Sequence, residues 1–96
     1  MMRMIKISGN SLEPLLSSGD YALVRTTPLP RIRPQDIVVF RHPDYGLLIK
    51  QVQRITDSGD LFVQGLRPHS VDSRSFGAVP RASVFGKVVW SIRRRG

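Results

Sequence analysis

The chain reads as an all-β protein, a small coiled antiparallel sheet or partly closed barrel with one short helical turn. Three observations carry that reading. Apolar residues come in short bursts rather than at helical spacing, the bursts are bounded by Gly, Pro, Asp and Ser, and a single stretch has both a helix start and a helix stop. At 96 residues, 41% apolar and 23% charged, the chain has the size of one domain and too much apolar content for disorder. Residues 1–96 are therefore taken as one unit, with 93–96 as a basic tail.

The expected strands are Met4 to Ser8, Tyr21 to Arg25, Asp36 to Arg41, Leu47 to Ile55, Leu61 to Gln64 and Val84 to Ile92. The helical stretch is Ser11 to Ser18, where Ser11 can cap, Pro14 fits an early turn and Gly19 ends it. Pro28, Pro30 and Pro34 make the connection between the second and third strands extended and irregular. No internal repeat or low-complexity segment is present.

Composition narrows the chemistry. Cysteine is absent, which removes disulfides, thiolate metal sites and cysteine nucleophiles. His42 and His69 lack the paired spacing of a zinc site, so neither a metal nor another cofactor is expected. No apolar run reaches the roughly 18–20 residues that span a bilayer, and residues 1–8 carry Arg3 and Lys6, unlike a signal peptide. A cytoplasmic location is the expectation. Fifteen Lys plus Arg against seven Asp plus Glu give a net charge of +8, which favours polyanions. Only Arg93, Arg94 and Arg95 form a basic run, read either as a solvated end or as a peripheral contact with an anionic membrane.

Only three of the fifteen basic residues are lysine: Lys6, Lys50 and Lys87. In residues 46–52 strand alternation puts Lys50 on one face with Leu48 and Val52, and Gln51 with Ile49 on the other. Burial there disfavours the ammonium form and turns a lysine into a general base. The same pattern also fits a sheet-edge lysine with its stem on the core and its head in water. In residues 8–14 two serines flank Gly9 and Asn10 at a strand-to-turn junction, where a nucleophile is exposed and free amides can hold an oxyanion. An ordinary turn cap reads identically. Residues 65–80 form a long polar loop in which Asp72 and Arg74 can pair and Ser70 can bond a buried amine.

Together and in this order, these segments resemble the boxes of the type I signal peptidases, which use a Ser-Lys dyad. Residues 8–14 with 18–20 are similar to the nucleophile box, 33–40 to a structural strand box, 47–55 to the lysine box, and 70–80 with 84–87 to the last box. The resemblance implies a fold of the signal peptidase and LexA type, with Ser11 as nucleophile, Lys50 as general base, and Ser70 orienting the lysine. It makes Asp72 and Arg74 a structural ion pair, and Ile7, Leu12, Leu16, Leu48 and Ile49 the lining for a small substrate residue.

The chain also departs from the family pattern. Leu12 stands where methionine is usual, and Gly9 leaves no side-chain hydroxyl to support the oxyanion. Gly65-Leu66-Arg67 replaces a Gly-Asp-Asn opening, and His69 stands at a common asparagine position. The family's membrane anchor and inserted domain are not seen. Such a short member looks like the peptidases that mature nickel-type superoxide dismutase, so the implied partner is a precursor protein, a nickel-type superoxide dismutase precursor among the candidates.

Two alternatives stand beside this. One is a small basic barrel that binds nucleic acid or an anionic membrane surface without catalysis; its seven aromatics fall mostly at core positions, and no nucleic-acid partner is expected. The other is a LexA-like self-cleaving domain, which shares the chemistry but fits the last box poorly.

Overall fold

The structure, a computed structural model, describes residues 1–9, 12–68 and 70–93. Six strands form: β1 (Met2–Lys6), β2 (Tyr21–Arg25), β3 (Ile37–His42), β4 (Gly46–Ile55), β5 (Leu61–Gln64) and β6 (Val84–Ile92). They lie in one sheet ordered β1-β2-β6-β3-β4-β5, every neighbouring pair antiparallel. The sheet is coiled and not closed, in agreement with the all-β expectation. The largest boundary change is β1, which starts at Met2 because its register against β2 runs from Met2 opposite Arg25 to Lys6 opposite Tyr21.

The coil originates at β6. Its first half pairs with β3 and its second half with β2, and both pairings shift register, between Leu23 and Val24 and between Val39 and Phe40. Such irregularities bend a strand and increase its twist. Gly86 permits the tight crossing, since a Cβ there would lie 2.4 Å from Val24 Cγ1 and 2.8 Å from the Arg25 carbonyl oxygen.

Coiling gives β3 an apolar layer on both faces. Val38 and Phe40 pack with Ile32, Val52, Leu61, Val63 and Val79, while Val39 packs with Ile7, Leu12, Leu16, Ala22 and Val24. That is why Ile37-Val38-Val39-Phe40 is a continuous apolar run rather than an alternating one.

Two expectations are corrected. Residues 12–18 form no helix: the Leu15 and Leu16 amides both donate to the Leu12 carbonyl, at 2.8 and 3.2 Å, and the turn stops there. Pro14 brings no N–H, and Gly19, at φ 93°, reverses the chain into β2. The helical turns lie instead at α1 (Ser73–Phe76), inside the stretch read as a loop, and at a 3-10 turn over Arg81–Ser83. The aromatics are also less buried than expected. Phe40 is fully buried, but Trp90, Tyr45 and Tyr21 are exposed. Of the basic tail, Arg93 is exposed, and Arg94 and Arg95 lie outside the described residues. No helix among the described residues is long and apolar enough to cross a membrane.

Gly86→Ala forces Val24 and the Arg25 backbone apart and is expected to destabilise the protein by about 1–3 kcal/mol, the usual cost of overpacking. Urea denaturation of the two proteins measures it.

Candidate active site

The β1–β2 connection is closed at its base by backbone bonds from Ile7 N–H to the Asp20 carbonyl at 2.7 Å and from Gly19 N–H to the Ile7 carbonyl at 2.8 Å. Within it, the Ser17 amide donates to Asp20 Oδ2 at 2.9 Å. Leu12 and Leu16 are buried beneath it against Ile7 and Val39, so burial rather than helical hydrogen bonding fixes its path. Gly9 adopts φ +84°, a left-handed conformation in which a side chain is strained. Ser11, the expected nucleophile, lies outside the described residues, as do Asn10 and His69.

A groove of about 320 Å³ runs between the end of β1, over residues 5–8, and the start of β4, over residues 47–50, with Val39 among its lining. Of the expected substrate-lining residues, Ile7, Leu48 and Ile49 are among its lining. Leu12 and Leu16 instead support the same apolar layer without being part of the lining.

Lys50 is among the residues that line this groove. It is 5% exposed, on a strand flanked by β3 and β5, and pairs across the sheet with fully buried Val38. The sheet-edge alternation, with the ammonium in water, therefore does not hold. Burial pulls the lysine below its ordinary 10.5, and the nearby Asp72 charge opposes that shift without cancelling it.

Asp72 explains why its opposition is weak. Fully buried, its carboxylate accepts from Gly65 N–H at 3.1 Å, Arg74 N–H at 3.0 Å, Arg74 Nε at 3.0 Å and Arg74 Nη2 at 2.9 Å. Burial alone raises this carboxyl, but the bonds from Arg74 and Gly65 outweigh it and hold the group below its ordinary 3.8. The negative charge is largely matched by its own loop. Asp72 also caps α1, and the Ser73 hydroxyl accepts the Val63 amide at 2.8 Å. Leu61 and Val79 exchange backbone bonds at 2.9 and 2.7 Å. These contacts cover the free edge of β5 with the 65–80 loop. Ser70, on that loop, has a buried Oγ with no hydrogen-bond partner among the described residues.

The structure thus gathers Ile7, Leu48, Ile49 and Lys50 at one groove, and Asp72 with Arg74 in one ion pair. Sequence reasoning missed the groove's other wall, Ile5, Lys6 and Ser8, together with Val39 and Leu47. Alternation along β1 marks Ile5 and Ile7 as inward, but nothing local marks β4 as their neighbour. It also missed Ser73, whose hydroxyl reads as one more loop serine.

Asp72→Asn keeps the shape but turns acceptors toward donors, and is expected to cost about 1.5–3 kcal/mol at neutral pH, the range for hydrogen bonds to a charged group. Because the folded carboxyl sits below 3.8, this stability is present above that value and lost as pH falls through the folded one. Thermal melts across the acid range should show the gap between parent and variant closing.

Comparison with known proteins supplies the family. No curated protein matches the chain. A family model described as Peptidase S24-like matches residues 1–89, over both groove walls, Lys50 and the Asp72 loop, and the chain belongs to this family of serine peptidases.

Proposed function

We propose that the protein is an endopeptidase that uses a Ser11–Lys50 dyad to remove an N-terminal leader or signal segment from a precursor protein, cutting after a small residue. The observation that carries this reading is Lys50: buried, pulled toward its neutral form, and beside an acid already committed to Arg74. A lysine serves as a base near neutral pH only when its ammonium form is disfavoured in this way.

In this mechanism the neutral Lys50 amine takes the Ser11 hydroxyl proton as Oγ attacks the scissile carbonyl carbon. The tetrahedral intermediate collapses, the C–N bond breaks, and Lys50 returns the proton to the leaving amine. Water then loses a proton to Lys50, attacks the acyl-enzyme and releases the new C-terminus, with Ser11 regaining its proton. The unfilled Ser70 hydroxyl orients the amine. Gly9 brings no hydroxyl to the oxyanion, so the Ser11 amide bears that charge. The groove walls align the substrate as an added strand, and Ile7, Leu48 and Ile49, which line the groove, give the small residue before the cut an apolar seat. The precursor is a soluble protein, a nickel-type superoxide dismutase precursor being the candidate that the sequence resemblance names.

A second reading, peripheral contact with an anionic membrane, has one observation of its own. By strand alternation Met2, Met4, Tyr21, Leu23, Trp90 and Ile92 share the outward face of β1-β2-β6, and all but Leu23 are exposed, with Arg25 and Arg93 beside them. An exposed tryptophan amid apolar residues and cations suits a lipid headgroup region. Co-sedimentation with vesicles of anionic and of neutral lipid tests it, with Trp90→Ala and Ile92→Ser expected to reduce binding to the anionic ones.

Profiling new N-termini in a lysate treated with the parent, Ser11→Ala or Lys50→Ala tests the peptidase. Cuts after small residues made by the parent alone are expected; identical samples overturn the reading. The parent's rate should rise with pH as Lys50 loses its proton, with a midpoint below 10.5. Lys50→Met should be inactive yet more stable by about 1 kcal/mol at neutral pH, a trade of stability for function. The sign follows from the lowered lysine: the parent's penalty for burying the ammonium operates below the folded value and fades as pH rises toward 10.5. The stability gain should therefore shrink in alkali, which chemical denaturation across pH reads.

A further inference from the structure

The groove is bordered by two basic residues, Lys6 and Lys50, and by none of the chain's seven carboxylates among its described lining. The lysines differ sharply in their surroundings. Lys50 is buried, and Lys87, outside the groove, is tied to Asp36 at 3.0 Å and to the Arg31 carbonyl at 3.1 Å. Lys6 is exposed and has no ion pair or hydrogen bond from its side chain among the described residues. It occupies the last position of edge strand β1, beside the backbone that a bound peptide would pair with.

We infer that Lys6 gives the groove a preference for an acidic substrate residue, placed one residue before the small residue at the cut. This inference rests on the peptidase reading and adds to it a register. Ile5 and Ile7 point inward, to the layer that also holds Val39, so by alternation Lys6 points to the opposite face of β1. A peptide extended along β1 alternates in the same way. Its small residue enters the inward pocket, and the residue just before it emerges on the outward face that carries Lys6. Cross-strand neighbours on one face lie within reach of each other, and opposite charges there attract while like charges repel. An acid two residues before the small residue points inward with it, toward Ile7, Val39 and Ile49, where an unpaired carboxylate is disfavoured.

The effect is that of an exposed ion pair, so the acid should be enriched roughly twofold to fivefold over its neutral amide at that position. The same exposure makes it sensitive to salt, and about 1 M sodium chloride should abolish most of it.

The test is digestion of a proteome-derived peptide library by the parent, Lys6→Gln and Lys6→Glu, with cut sites read by mass spectrometry. The parent should enrich Asp and Glu one residue before the small residue and not two before. Lys6→Gln should level this preference, and Lys6→Glu should invert it toward Lys and Arg, while the small residue at the cut stays the same in all three. Cuts after small residues without acidic enrichment, or with an enrichment that neither variant alters, overturn the role of Lys6 and leave the peptidase reading intact. No cutting by the parent at all removes the peptidase reading and this inference with it.

Discussion

A carboxylate with no exposure to solvent has to be matched by donors, and the way the Asp72 carboxylate is matched shapes one side of the molecule. Three of its four bonds come from Arg74 and the fourth from the Gly65 amide, so the ends of the segment 65–74 are drawn onto one side chain. The guanidinium reaches solvent at 59% exposure while the carboxylate does not. The pair therefore acts as a clamp from inside: its buried half holds the loop, and its exposed half spares the protein a fully buried ion pair. With that loop in place, Ser73 and Val79 cover β5 and the apolar layer of Phe40, Val52 and Val63 is closed from water.

The same clamp sets the electrostatics of Lys50. A free carboxylate near a buried lysine would hold it as an ammonium ion. Here the carboxylate is already spoken for, so loss of hydration outweighs the remaining attraction and the lysine moves toward neutrality. Two charged groups near each other thus shift downward together, Asp72 because Arg74 and Gly65 stabilise its charge, Lys50 because burial penalises its own. The family match spans both residues of this electrostatic arrangement, Lys50 and Asp72.

Much of this was legible in the sequence, and unevenly so. Strands β2, β5 and β6 have the boundaries that their turn residues imply, because Gly, Asp and Pro act locally. Residues 11–18 carried local helix signals, yet burial of Leu12 and Leu16 took the described part, 12–18, into a single turn; tertiary packing overrode a weak local preference. Helix α1 was invisible for the converse reason, since four residues have no periodicity to read and its cap is a bond made by a carboxylate that also serves the loop. The sequence resemblance pointed first to the signal peptidases and only then to the LexA-like group, whereas the family match is to the S24-like peptidases.

The sequence by itself determined the all-β class and the face of its strand on which Lys50 lies, and it offered Asp72 and Arg74 as a pair, because each depends on alternation or on residues two apart. Whether Lys50 is desolvated was decided only by the tertiary structure. Alternation gives a direction and not a depth, and depth came from β4 lying between two strands under the 65–80 loop. The groove was likewise a tertiary product. Residues 5–8 and 47–50 are some forty positions apart in the chain and not adjacent in the sheet order, and they meet because the sheet coils about β6, whose pairings with β2 and β3 both shift register. A bend is a property of packed strands, absent from any one of them.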